Sequence, residues 1–244
     1  MITIVGLVGY SGRMGQSIAE IIKASPSACL AGGITRSMMP TVTTDGDKPL
    51  ILTSDAEELF PQCDVIIDFS HASATAGYAR IAAKCGKPFL SGVTGVSEAD
   101  INILKDVSKT IPVLYTTNTS LSLVVVRHMV RLGAKMLKDH DYDISIFDKH
   151  HRNKKDSPSG TALSLGNEVL KGNEGSHPPS YASARVGSIV GEHDILFAGV
   201  GEVINLQHTV TDRRVFARGA VEAALWLAPQ KSGFYSMDNV LTIE

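Results

Sequence analysis

The chain has 244 residues, 43% of them hydrophobic, and 23 basic against 25 acidic residues give a formal net charge of −2. That supports a substantial core, in one large domain or two modest ones, and argues against a nucleic-acid partner, which requires a strongly basic surface. The three cysteines (Cys29, Cys63, Cys85) form no C-x-x-C pair, and no apolar run reaches the roughly 18 residues of a membrane span, so a soluble cytoplasmic protein is expected.

The first half alternates short apolar runs with helical patterns. Ile2 to Val8 is a β-rich run ending at glycines, and from Gln16 the residues Ile18, Ala19, Ile21 and Ile22 make a helical stripe up to Ser25-Pro26. Further runs follow at Cys29–Ile34, 64–70, 87–92 and 111–117, with helix-like stretches at 72–85 and 97–109, while 38–50 reads as loop. Continuous apolar strands alternating with helices imply a parallel sheet covered on both faces. After residue 120 the pattern changes. Leu121 to Lys138 is helical, 142–149 and 202–210 alternate, 194–200 is another strand candidate, and Ala220 to Leu227 returns to helix. Alternation belongs to a half-exposed, mostly antiparallel sheet. The expectation is an α/β protein: a Rossmann-like dinucleotide-binding domain over 1–120 plus 213–244, with an α+β substrate and oligomerisation domain inserted at 121–212.

GYSGRMG, residues 9–15, sits between the first strand and the first helix. Glycines there allow a tight turn and let backbone amides approach a pyrophosphate at the helix N-terminus. Ser11 stands where a second glycine is usual, leaving Gly9, Gly12 and Gly15, so a simple strand-to-helix turn is the competing reading. Twenty residues after Gly15 the chain carries Thr35, Arg36 and Ser37, with no carboxylate to grip a ribose hydroxyl. Arg36, and Arg13 inside the loop, are candidates for a 2′-phosphate; a solvated surface charge is the alternative for Arg36.

DKHHRNKKDSPSGT, residues 148–161, crowds positive charge ahead of a helix start. Asp156 or Ser157 can cap a helix beginning at Pro158, with Ala162, Leu165 and Val169 as its apolar stripe. Ser159, Gly160 and Thr161 then lie at the positive end of the helix dipole, beside Lys154, a site for a carboxylate or phosphate. No metal set is read here, because adjacent His150 and His151 point to opposite faces of a strand. His193 and His208 read as structural or interfacial.

HHRNKKDSPSGTA at 150–162 resembles the H-H-x-x-K-x-D-x-P-S-G-T-A signature of the dihydrodipicolinate reductase family. The resemblance extends through GVTG (92–95), TNTS (117–120), VGEH (190–193) and FARGAVEAALWL (216–227). Asn153, Lys155, Ser157, Thr119 and Ser122 depart from the family pattern. The resemblance implies reduction of 4-hydroxy-tetrahydrodipicolinate (dihydrodipicolinate) to tetrahydrodipicolinate with NADPH or NADH, on the diaminopimelate route to lysine. By similarity His150 and Lys154 are the proton-donating pair, and His151, Lys154, Ser159, Gly160 and Thr161 hold the substrate dicarboxylate. Cofactor contacts fall to Gly9, Tyr10, Ser11, Gly12, Arg13, Met14 and Gly15 of the loop, with Arg36, Ser70, Gly92, Thr94, Thr117, Asn118 and Ser120. A homotetramer built through the second domain's sheet is also implied. A non-catalytic dinucleotide sensor and a cysteine-acylated aldehyde dehydrogenase are the competing functions, and no cysteine lies in the cationic loop to serve the latter.

Overall fold

In the computed structural model the first apolar run is strand β1 (Thr3–Val8), whose last four residues are buried. The structure describes residues 1–36, 41–45 and 48–241; the side chains of 41–45, Lys48 and Pro49 lie outside the description. The chain forms two units, Met1–Ser120 with Arg214–Glu244 (unit 1) and Leu121–Arg213 (unit 2).

In unit 1, β1 leads to helix α1 (Arg13–Lys23) and β2 (Ala28–Ile34). The stretch expected as loop at 38–50 instead carries β3 (Thr41–Asp45) and the start of β4 (Lys48–Thr53), paired antiparallel. The physical reason lies in the β-branched run Thr41–Thr44, and Pro49 sits outside the ladder that β4 shares with β2. Then come α2 (Ala56–Leu59), β5 (Val65–Asp68), α3 (Ala72–Lys84), β6 (Phe89–Ser91), α4 (Glu98–Val107) and β7 (Pro112–Tyr115). β5 and β6 are buried throughout, which a sheet covered on both faces requires.

Unit 2 begins with α5 (Leu121–Met136) and β8 (Asp143–His150), continues through α6 (Gly160–Gly172), β9 (Ser180–Arg185) and β10 (Gly191–Gly199), and ends with β11 (Glu202–Val210). The sheet order is β11-β10-β8-β9. β10 runs antiparallel to β8 and β11, whereas β9 lies parallel to β8 after the α6 crossover, so the sheet is mixed. The sequence did not advertise β9, because SYASAR is short, small and largely exposed. One sheet face carries Ile144, Ile146, Ile195 and Phe197 against Val130 and Ala134 of α5 and Leu165 and Val169 of α6. Alternation continues along that face beyond the apolar rows. The next row across the sheet is Ser183, Asp148, His193 and His208, each in register with its neighbour.

The chain returns to unit 1 with α7 (Arg214–Leu227), longer than the expected 220–227, followed by β12 (Gly233–Tyr235) and α8 (Met237–Val240). α7 packs on α1, β5, β6 and β7. The completed sheet has the order β12-β7-β6-β5-β1-β2-β4-β3, seven parallel strands with β3 as an antiparallel edge.

Candidate active site

In unit 1, β1 lies between β2 and β5, so the chain winds outward in both directions from it. Loops at the carboxyl ends of such strands diverge and leave a crevice for a ligand. The predicted cofactor residues fall in those loops: Gly9 to Gly15 after β1, Arg36 after β2, Ser70 after β5, Gly92 and Thr94 after β6, and Thr117, Asn118 and Ser120 after β7. Gly9 takes φ +81°, and a Cβ there would stand 2.6 Å from the Phe69 carbonyl oxygen. A Cβ on Gly15 would stand 2.2 Å from the Gly9 carbonyl oxygen, so only glycine lets α1 start this close to the turn. Gly12 occupies the N-cap without a side-chain cap, and no acidic residue lies in the first turn of α1. Among the described residues, the buried Thr35 Oγ1 has no hydrogen-bond partner. An uncapped helix start, a glycine cradle and an orphaned hydroxyl fit a dinucleotide phosphate. Ser11, Gly12, Arg13, Arg36 and Thr94 are exposed, and Tyr10, Met14, Ser70 and Gly92 are half-buried.

Buried Asp68 anchors two of these loops. Its carboxylate accepts from Ser70 N at 2.9 Å, Thr75 Oγ1 at 2.9 Å and Ser91 Oγ at 3.3 Å. Burial nevertheless raises its pKa, against the pull of those donors. On the β7 side, Asn118 Oδ1 accepts from Ser120 N at 2.9 Å and closes a local turn.

In unit 2, His150 is the last residue of β8 and stays on the buried face, while half-buried His151 lies just beyond the strand. His150 Nδ1 meets Asp148 Oδ2 at 2.9 Å. Arg185 approaches the same oxygen at 3.1 Å, and the Ser183 hydroxyl donates to Oδ1. Burial pushes the Asp148 carboxyl up, but the Ser183 hydrogen bond and the Arg185 and His150 charges outweigh it, so its pKa is lowered. An ionised Asp148 keeps a proton on His150 Nδ1 and leaves Nε2 as the exchanging nitrogen. Burial and then the Lys154 charge lower the His150 pKa, with Asp148 opposing.

The helix after this loop starts later than expected. Its N-cap is Ser159, not Asp156 or Ser157, and Pro158 precedes it; Ser159 Oγ accepts from Ala162 N at 3.1 Å. Extended φ/ψ at Ser159 with its hydroxyl on that amide makes it the better cap. Space around Gly160 is open: beyond its chain neighbours and the helix's own backbone, no heavy atom lies within 4 Å of where a Cβ would stand. Lys154 Nζ rests 2.9 Å from Asp156 Oδ1, a carboxylate that is half exposed. Against burial, hydrogen bonds from Lys154 and from the Gly160 backbone lower the Asp156 pKa, so the helix start already holds a carboxylate.

Sequence reasoning missed Asp148, Ser183 and Arg185, whose roles depend on cross-strand register. The alternation of 143–150 placed Asp148 and His150 on one face, and that signal was legible. Asp148, His150 and His193 offer ligand atoms within 4.8 Å of one another. Arg185 on Asp148 and the Lys154 charge beside His150 oppose a dication there.

The family model described as "Dihydrodipicolinate reductase, N-terminus" matches residues 3–119, and "Dihydrodipicolinate reductase, C-terminus" matches 122–241. A 4-hydroxy-tetrahydrodipicolinate reductase of Campylobacter concisus is 36% identical over 259 residues, 98% of each chain. That of Zymomonas mobilis is 38% identical over 255 residues, covering 97% of this chain and 96% of the relative. Among solved structures, a dipicolinate-bound dihydrodipicolinate reductase from Paenisporosarcina sp. TG-14 superposes with a TM-score of 0.82 at 17% identity, over 99% of this chain and 100% of the other, a likeness of fold.

Proposed function

The chain belongs to the dihydrodipicolinate reductase family, and from that premise we infer that it reduces 4-hydroxy-tetrahydrodipicolinate to tetrahydrodipicolinate on the diaminopimelate route to lysine. Unit 1 is the dinucleotide-binding domain and unit 2 the substrate domain. Gly9 to Gly15 and the α1 N-terminus hold the pyrophosphate, Arg36 reads the ribose end, and Ser70, Gly92, Thr94, Thr117, Asn118 and Ser120 line the remainder. Bound NADPH or NADH supplies the hydride. NADPH serves at least as well as NADH, because after Thr35 the chain carries no carboxylate until Asp45.

The observation that carries the reading is the Asp148–His150 pair, set one loop away from a helix start that has open space at Gly160 and Lys154 beside it. Lys154, His151 and the Ser159–Gly160–Thr161 helix start hold the two substrate carboxylates. A bound carboxylate competes with Asp156 for the Lys154 ammonium. The same dianion raises the His150 pKa and so charges a ring that burial keeps neutral in the free protein. Loss of the 4-hydroxyl as water leaves the conjugated imine, whose reduction by hydride requires a proton at the ring; His150 Nε2 and Lys154 Nζ are the donors, and Asp148 holds the His150 ring in place. Exposed Val203 and Ile204 on β11 support assembly of copies through this sheet. Among the described residues no helix is long and apolar enough to cross a membrane.

The test is a coupled assay with enzymatically generated dihydrodipicolinate and NADPH or NADH, followed at the nicotinamide absorbance. Oxidation that requires both substrates is expected. Nucleotide binding without such oxidation would overturn the enzymatic reading.

A further inference from the structure

We infer that His193 is a positioning residue that couples His150 to Ser159, so that the proton-bearing ring and the carboxylate-holding helix start keep one geometry. The inference rests on the roles given to His150 and Ser159 above.

His193 stands on β10, directly opposite Asp148 of β8 and His208 of β11, and is 3% exposed. Its ring meets that of His150 edge to face, with centroids 5.2 Å apart and planes at 72°. On its other side it stacks with His208 at 6.2 Å. Its Nε2 lies 3.3 Å from Ser159 Oγ, the hydroxyl that caps α6. The Nε2 edge of His150 faces Gly191, where a Cβ would stand 3.2 Å from that nitrogen and 3.9 Å from His193 Cε1. One imidazole thus touches the reactive ring and the helix cap together.

Packing alone does not explain a histidine here. Ile195 and Phe197 fill the same face of β10 two and four residues further on, and an aliphatic or phenyl side chain would fill this position too. His193 Nδ1 is buried with no partner among the described residues, a cost that an apolar side chain would avoid. What the imidazole adds is the contact at Nε2. Ser159 Oγ is a shared node: it accepts the Ala162 amide, contacts His193 and helps hold Asp148 ionised. Moving His193 therefore shifts the cap of α6 and the wall beside His150 at once.

The ring also has to stay uncharged. Burial, then the charges of His150 and His208, with Lys154 adding and Asp148 opposing, hold its pKa down to about 4. The groups facing this pair are Asp148 on β8, Arg185 on β9, His208 on β11, Ser159 at the α6 start and Lys154 in the loop. Beside a neutral imidazole, His150 takes up a proton without a cationic neighbour in ring contact.

The probe is pyridine-2,6-dicarboxylate (dipicolinate), a planar dicarboxylate, with binding measured by calorimetry. His193→Phe keeps the ring volume and removes Nε2; His193→Gln replaces it with an amide that reaches Ser159. With melting midpoints matched to wild type, His193→Phe is expected to raise the dipicolinate Kd about 5- to 100-fold, the range for losing a buried hydrogen-bond partner. His193→Gln should recover most of that loss, and NADPH binding should be unchanged in both. In the unaltered protein, saturating dipicolinate should move the ring-nitrogen resonances of His193 together with those of His150, a measurement that holds even where a variant fails to fold. Wild-type affinity in a folded His193→Phe, or a His193 signal that ignores bound dipicolinate, would overturn the coupling and leave the site reading intact. Failure of dipicolinate to bind the wild type would overturn the site reading, and this inference with it.

Discussion

The two units place their polar chemistry in opposite ways. In unit 1 the sheet is covered on both faces, β5 and β6 are buried throughout, and the candidate cofactor residues occupy loops beyond the strand ends. Asp68 and Ser91, the buried polar groups of those two strands, are their last residues. In unit 2 buried polar groups sit within the sheet's own core face, as Asp148, His193 and His208 beside apolar rows, with exposed Ser183 ending the row on the edge strand. A strand buried on both faces has no room for a charged side chain except at its end, whereas a one-sided sheet can give up a full row if every member finds a partner. Function and stability should therefore separate in unit 1 and be entangled in the row of unit 2.

Lys154→Ala sharpens this contrast within unit 2, since Lys154 lies in the loop and its ion-pair partner Asp156 is half exposed. It is expected to lower kcat by about 10²- to 10⁴-fold, the span for a positioned acid, with the melting midpoint unchanged. Steady-state kinetics beside calorimetric melting check both halves; near-wild-type turnover would remove the cationic loop from the active site.

Asp148→Asn should do the reverse and lower stability as well as activity. It strips the counter-ion from Arg185, whose side chain is only 17% exposed, and removes the anion that orients His150. A loss of about 3 kcal/mol is expected from urea denaturation. Unchanged stability would break the claim that the row is part of the core.

The pH dependence of folding should also belong to unit 2. Burial lowers the pKa of His150, His193 and His208 in the fold, with His193 brought from 6.5 to about 4. On acidification the unfolded chain takes up protons first, so this stabilisation is complete above pH 6.5 and is lost as pH falls from there toward 4. The His193 share is on the order of 2 kcal/mol at pH 4.5, and His193→Gln should flatten the profile of melting midpoint against pH. A profile identical to wild type would show that the ring is not held neutral.

The smallest effect is expected in unit 1. Arg36 is exposed after β2, so Arg36→Ala should leave melting untouched and raise KM for NADPH about 10- to 150-fold while barely changing that for NADH. A silent substitution would return Arg36 to the solvated surface.

Much of unit 1 was legible because its signals are local. Continuous apolar runs, the glycines at 9, 12 and 15 and the missing carboxylate near Thr35 are each read within a few residues. The 38–50 stretch failed because its prolines spoke for loop, while edge pairing tolerates Pro49 outside the neighbouring ladder. The start of α6 lies two residues beyond the expected Pro158 because Asp156, Ser157 and Ser159 are all competent caps, and only backbone geometry selects Ser159.

By itself, the sequence determined the parallel unit, the glycine turn, the cationic helix start and, through the long 150–162 signature, the family resemblance. Period-two alternation also determined that Asp148 and His150 share a face. Only the tertiary structure decided which side chains stand next to them. Ser183, Arg185, His193 and His208 come from strands 35 to 60 residues away in sequence, and β9 joins in parallel where alternation suggested antiparallel neighbours. Alternation specifies the face a residue takes but carries no information about register, and a shift of one residue would have turned each of these partners to the other side.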